Sequence, residues 1–282
     1  MPHIRASPLP RQSLISEIQT GKPNLDGARH IQMVVREGLL LAGGAAALLL
    51  QVAMPGVGKG VNHHSTFSRR PLDRLRTTMT FVYCMVFGTA KERQFIVKMV
   101  HRAHSPVQGA DYSADDIHLQ LWVAATLYAV GVGMYEDVFG RIDEATAEAL
   151  YLEYAILAKS LRVSGEMWPI NRKAFWAYWD RQIATMEVTP EARHVAHDLL
   201  YNQNLPVHLA ALMPWMRFIT AELLPPRIRE AYGLKSTVLR RGAYRVTLEV
   251  IRATYPLVPM FIRTYPKEYY LKDMRRRMGN AR

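Results

Sequence analysis

The chain has 282 residues, 49% hydrophobic and 21% charged, with a formal charge of +12 and one cysteine. That length supports one large domain or two small ones, and the apolar content excludes wholesale disorder. The lone cysteine, Cys84, excludes an intrachain disulfide and reads as core, because it lies in an apolar run and a reactive thiolate wants electropositive surroundings.

Residues 1–27 are polar and proline-containing and read as an extension without a secretory signal. Residues 28–282 read as one helical domain with a basic C-terminal tail, and the expected location is cytoplasmic and soluble. A helical pattern begins near Ala28 and runs to Met54. Its apolar part, GLLLAGGAAALLL at 38–50, is shorter than the roughly 17–25 residues of a spanning helix. It predicts a buried helix of small residues, with an interruption at Gly43-Gly44. Pro55-Gly56-Val57-Gly58 predicts a turn, and residues 62–66 a polar loop containing His63 and His64.

From Pro71 a helix runs to a break at Gly88-Thr89. Near its start stand Arg74, Thr77 and Thr78, whose spacing of three and four places them toward one face. Thr89-Ala90-Lys91-Glu92 has capping-box spacing, and an apolar stripe of Phe95, Ile96, Met99, Val100 and Ala103 follows. That second helix ends in His104, just before Ser105-Pro106, with His101 more toward the polar side. Ser113 to Asp116 predicts another capping box, opening a helix that ends near Gly140, and Asp143 opens the next. Asn171 precedes a tryptophan-rich helix, Thr189-Pro190 caps another, and Pro214 is expected to kink a third. No strand alternation and no fixed repeat is present, so the expected fold is all-α.

The chain has no phosphate-binding glycine loop, no paired-histidine zinc helix and no Cys-x-x-Cys pair. Asp115 and Asp116 read as first-turn acids. His194 and His197, like His63 and His64, read as surface pairs lacking a third metal ligand. Trp168, Trp176 and Trp179 read as core or pocket wall. His104 stands out through its company. A haem iron wants an imidazole from a helix beside an apolar cavity, and dioxygen chemistry wants a few polar groups opposite. Arg74, Thr77 and Thr78 are of the right type.

Two other classes fit the same residues. One is a cavity enzyme using His104 or His101 for acid–base chemistry or rearrangement. The other is a basic binding protein for nucleic acid or acidic lipid. No nucleic-acid reader motif accompanies the charge, so nucleic acid is not the favoured partner. The tail of Lys272, Arg275, Arg276, Arg277 and Arg282 is the expected point of any peripheral membrane contact.

Four pieces of sequence recur in one known family. They are Leu40-Leu41-Ala42-Gly43-Gly44 through Met54-Pro55-Gly56-Val57 with His64-Ser65-Thr66-Phe67; Pro71-Leu72-Asp73-Arg74-Leu75-Arg76-Thr77-Thr78 with Phe87-Gly88-Thr89; His104-Ser105-Pro106-Val107-Gln108-Gly109 with Tyr112; and Leu121-Trp122-Val123-Ala124-Ala125-Thr126-Leu127 with Glu153 and Pro169. In this order they resemble the MpaB-type oxygenases, which include the rubber oxygenases called latex clearing proteins.

The resemblance implies an all-helical fold with a globin-like core, a b-type haem, and dioxygen as co-substrate. It implies His104 as axial iron ligand and Arg74, Thr77 and Thr78 on the opposite side, with Arg74 and Thr78 also near the cofactor. The implied activity is a haem-dependent oxygenase acting on an apolar small molecule of terpenoid or polyketide type, including oxidative cleavage of carbon–carbon double bonds. Three positions depart from the family's pattern. Met54 and Ala124 stand where histidine is frequent, and Thr77 where rubber oxygenases can carry lysine.

Overall fold

With no period-two pattern to favour strands, the chain folds as helices alone. A computed structural model describes residues 28–64, 71–201, 205 and 207–280, by backbone only at 71–74, 208–209 and 280. The proposed extension 1–27 lies outside the described residues. Helix α1 spans Arg29–Val35, followed by a 3-10 helix at Gly38–Gly43, α2 at Gly44–Ala53 and α3 at Pro55–His64. Then come α4 (Pro71–Phe87), α5 (Ala90–His104), α6 (Ile117–Phe139), α7 (Glu144–Ser160), α8 (Arg172–Thr185) and α9 (Pro190–Leu200). The remainder is shorter and more broken: α10 (Val207–Ala210), α11 (Met213–Leu223), α12 (Pro226–Ala231), α13 (Val238–Thr254), α14 (Met260–Arg263) and α15 (Tyr265–Asn280). No strand forms among the described residues. A single bridge between Gln108 and Ser113 closes a turn.

Helix α6 is the centre of the fold. It touches α1, α2, the 3-10 helix, α7 and α13. By length and composition it could cross a bilayer, but half of its most apolar stretch is buried within the protein. Its Tyr128 is fully buried and meets Tyr151, Tyr154 and Phe175 edge-on, with centroids 5.2, 5.2 and 4.7 Å away. Such edge-to-face contacts add to simple area burial. Trp122 stacks on Trp179 at 5.1 Å and donates its indole N–H to the Leu50 carbonyl, 2.8 Å. The tryptophans expected as core or wall are therefore core, joining α6 to α8.

The apolar run 38–50 divides in two. Eight of the ten residues of α2 are buried, as expected of a small-residue helix, and burying a leucine such as Leu49 contributes about 2 kcal/mol. Residues 38–43 instead form the tighter 3-10 turn. The helix type changes at Gly43-Gly44, where the sequence predicts an interruption, and a sharp bend of 67° falls earlier, between α1 and Gly38. At that bend stands Glu37, wholly buried. Its carboxylate accepts two hydrogen bonds from the Arg263 guanidinium (2.6 and 2.9 Å) and one from the Tyr255 hydroxyl (3.2 Å). Arg263 in turn lies 5.1 Å from the Phe139 ring centroid. A buried carboxylate with paired, geometrically matched donors fixes the bend to α14.

Three local readings change. Pro55 begins α3 instead of ending a helix in a turn, because proline suits a first helical turn, so His63 and His64 close a helix. Pro214 likewise sits in the first turn of α11 and kinks nothing. The cap of α6 is Asp116, whose carboxylate accepts from the His118 and Leu119 amides, so the box expected from Ser113 is not formed. The caps at Asp143, Asn171 and Thr189 and the Thr89–Glu92 box are all present.

Glu92 has a second task. It accepts a hydrogen bond from Arg275 of α15 (2.7 Å), and this bond holds its carboxyl below the usual carboxylate range, against the opposing pull of burial. The pair therefore stabilises the fold fully above the ordinary glutamate pKa and loses that contribution as pH falls through the lower native value. Glu92→Gln should cost about 1 kcal/mol at neutral pH, since the arginine is half exposed. Urea denaturation should show wild type and variant converging at acid pH; a constant gap would refute the electrostatic origin.

Candidate active site

Helices α4 and α5 form a hairpin through the two residues Gly88-Thr89, so they run antiparallel. Gly88 is required there: a Cβ would lie 2.5 Å from the Cys84 carbonyl oxygen. Counting about 1.5 Å of rise per residue from the hinge, Arg74 and His104 both stand roughly 20 Å along their helices. Arg74 and His104 thus stand at similar distances from the hinge along their own helices.

His104 continues a buried row. Ile96, Val100 and His104 are four residues apart, and the first two are buried. His104 itself is half-buried, while Ala103, expected in the apolar stripe, is exposed. The helix ends here because Pro106 follows and the chain folds back on itself. The His104 carbonyl accepts from the Val107 amide (2.8 Å), and the Gly109 amide donates to the Tyr112 carbonyl (2.9 Å). Gly109 lies against the Tyr112 ring so closely that a Cβ would come within 2.4 Å. The Tyr112 hydroxyl meets His63 Nδ1 at 3.1 Å and His64 Nε2 at 3.0 Å. The His-Ser-Pro-Val-Gln-Gly motif is thus a clamp that fixes the end of α5 against α3. His101 contacts the Ser160 carbonyl at 3.2 Å, fixing the same end to α7.

Beside α4 lies a cavity of about 530 Å³. The 3-10 helix and α2 supply much of its wall, with Leu75, Thr78, Met79 and Val82 from α4, Leu127 and Val130 from α6, and Tyr154 and Leu157 from α7. Its rim includes the exposed Leu212 and Trp215. Two glycines make this shape possible. Gly43 approaches α6 so closely that a Cβ would meet Met134 Sδ at 2.2 Å, and Gly131 leaves room for the Tyr154 hydroxyl, 3.0 Å from where its Cβ would be. The polar groups on the wall are few: Thr78, Gln51 and Tyr154 among them. Gln51 donates to Thr126 (3.1 Å), and burial pushes the Tyr154 phenol well above its ordinary pKa, so it stays protonated. Such a chamber takes a mostly apolar molecule and orients it through a few hydrogen bonds.

The expected trio separates. Thr78 lines the cavity, whereas Thr77 is exposed and turned away from that wall. Arg74 stands one helical turn before Thr78, on the row that continues through Val82; its side chain lies outside the described residues. His104 is not among the cavity's lining residues, nor are Met54 and Ala124, the two positions that depart from the resembled pattern. No group of three or more histidine, cysteine or acidic residues able to hold a metal ion exists among the described residues. His194 accordingly meets Asn62 (2.7 Å) and His197 stacks on Tyr201 (5.3 Å).

A haem needs an apolar slot and one imidazole from a fixed helix end. The cavity satisfies the first need. His104, on a buried row and at a clamped helix end, is the candidate for the second. Sequence reasoning missed Gln51 and Tyr154 on the wall, which only the long-range packing of α2, α6 and α7 brings together. It also missed Lys159, next to the His101 contact, whose ammonium burial pulls below its ordinary pKa.

Comparison with known proteins adds a family. The profile of the ER-bound oxygenase mpaB/B'/rubber oxygenase catalytic domain matches residues 31–253. The uncharacterised proteins Mb2261 of Mycobacterium bovis and Rv2237 of Mycobacterium tuberculosis are each 33% identical over 248 residues, spanning 84% of this chain and 97% of theirs. No solved structure matches.

Proposed function

This chain belongs to the mpaB/rubber oxygenase catalytic-domain family, and from that membership we propose a haem b-dependent oxygenase that uses dioxygen on an apolar small molecule of terpenoid or polyketide type. The observation that supports the reading is Thr78 on the wall of a largely apolar chamber with Arg74 one turn before it on the same helix; His104, at the end of α5, enters the reading through the family motif it matches. When bound, the haem supplies the iron that activates dioxygen, and oxidative cleavage of a carbon–carbon double bond is the reaction this favours.

The chain's own residues hold and orient. His104 would hold the haem iron through its imidazole, with the Val107 amide and the Gly109–Tyr112 clamp keeping its helix end in place. Arg74 supplies a permanent cation that stabilises negative charge developing on oxygen, and the Thr78 hydroxyl orients the oxygen or substrate by one hydrogen bond. The leucines of the 3-10 helix and α2 exclude water and align the apolar substrate. Thr77 is exposed and lies off the chamber wall, so its exchange for valine should change turnover little.

The first experiment is an absorption spectrum of the purified full chain with a pyridine haemochrome assay. A Soret band and stoichiometric protohaem are expected; colourless protein that takes up no added haem overturns the reading. Arg74→Ala should keep the haem and lower turnover by about 10²–10³, the loss seen when one preorganised charge-stabilising donor is removed. Full turnover in that variant would remove Arg74 from the mechanism.

A further inference from the structure

Large apolar side chains are exposed very unevenly on this protein. Among the described residues, all but Ile117 and Ile170 follow residue 200. The densest stretch is α13 with the turn after it. Helix α13 has no buried residue. Its inner side, through Tyr244, Leu248 and Ile251, lines a second cavity of about 340 Å³. Its outer side carries Leu239, Val246 and Val250, exposed to 83%, 65% and 56%, and spaced seven and four residues apart as one stripe. Leu257 and Phe261 beyond the helix end are 81% and 74% exposed. A concentration of exposed apolar side chains of this kind marks an interaction site.

We propose that this surface of α13 and the following turn docks on an anionic lipid bilayer. Charge selects that partner. From residue 238 to 265 the sequence holds five arginines and one acid, Glu249; Arg263 is paired with Glu37 and Arg252 with Glu249, which leaves Arg240, Arg241 and Arg245. Arg241 and Arg245 stand one turn apart on exposed positions of α13, on the flank of the helix away from the apolar stripe. An amphipathic helix with leucine and valine on one side and arginine on another lies in the headgroup region, and arginine stems reach the phosphates from there.

The α15 arginines of the basic tail are already engaged by acids, which favours α13 over the tail as the main contact. In α15, Arg275 bonds to Glu92, while Arg276 and Arg277 bond to Asp273 at 3.0 and 2.9 Å. The docking surface also adjoins the chambers. Trp215, 43% exposed, lines both cavities, and α13 forms one wall of the smaller.

The test is co-sedimentation of the full chain with vesicles of phosphatidylcholine alone and of phosphatidylcholine with phosphatidylglycerol. Binding is expected to the anionic vesicles, at least about tenfold stronger than to neutral ones and weakening with salt. The triple variant Leu239→Ser, Val246→Ser, Val250→Ser, with unchanged circular dichroism, should lower binding about tenfold or more. If the triple variant does not fold, Leu239→Ser alone carries the same test with a smaller loss. Arg241→Gln with Arg245→Gln should remove most of the salt dependence, and Arg276→Gln should leave binding within about twofold. No binding to anionic vesicles, or binding indifferent to the stripe, overturns the proposal. So does a wild-type dimer that the triple variant converts to monomer, because it assigns the face to a second copy. None of these readouts involves haem or turnover, so they are independent of the oxygenase reading.

Discussion

His104→Ala is expected to purify folded and without haem: no Soret band, no haemochrome signal, and no uptake on titration with hemin. The expectation rests on position. His104 ends a row whose other members, Ile96 and Val100, are buried, and the clamp from Val107 to Tyr112 fixes that helix end whichever side chain it carries. The fold should survive, since truncating one half-buried polar side chain at a helix terminus costs about 1 kcal/mol. His101→Ala is the control. Its imidazole meets the Ser160 carbonyl, so its loss should loosen the α5–α7 contact while keeping the Soret band. A His104→Ala protein with normal haem absorption would sink the ligand assignment, and a colourless His101→Ala protein would transfer it.

Arg263→Ala should be the most damaging substitution for stability. It removes two hydrogen bonds from a carboxylate with no exposure to solvent, leaving Glu37 charged and unpaired by its main partner. Breaking a buried pair in this way costs about 3–5 kcal/mol. For a chain of this size that corresponds to a fall in melting temperature of roughly 10 °C. Glu37→Leu combined with Arg263→Met should recover most of the loss, because two apolar residues of similar volume need no desolvated charges. Calorimetry of the single and double variants decides it: a single-variant loss below about 1 kcal/mol would make the pair a surface-like contact.

The helices were largely legible in the sequence because their ends are written locally. Thr89 with Glu92, Asp143, Asn171 and Thr189 all cap helices where their spacing places them. Prolines misled for a local reason too. Pro55 and Pro214 look like breakers, yet each occupies a first turn, where its missing amide hydrogen costs nothing. What the sequence could not display was distance. Glu37 and Arg263 are 226 residues apart, and Gln51 meets Thr126 across 75. Nothing in either neighbourhood signals the other. The same holds for the site. Spacing alone grouped Arg74, Thr77 and Thr78, but a helix turns 100° per residue, so Thr78 reaches the chamber while Thr77 faces outward. The apolar stripe on α13 is meaningful only because the opposite side of that helix is the covered one.

Cys84 offers the protein its own clock. The thiol is fully buried in α4, and burial pushes its pKa up to about 12, so in the closed fold it scarcely ionises or meets solvent. Alkylation by a water-soluble maleimide therefore proceeds only through molecules whose α4–α5 hairpin has opened, and the labelling rate counts those excursions. With one cysteine in the chain, the count needs no competing thiols to be removed. Hemin should slow the clock if the hairpin grips it.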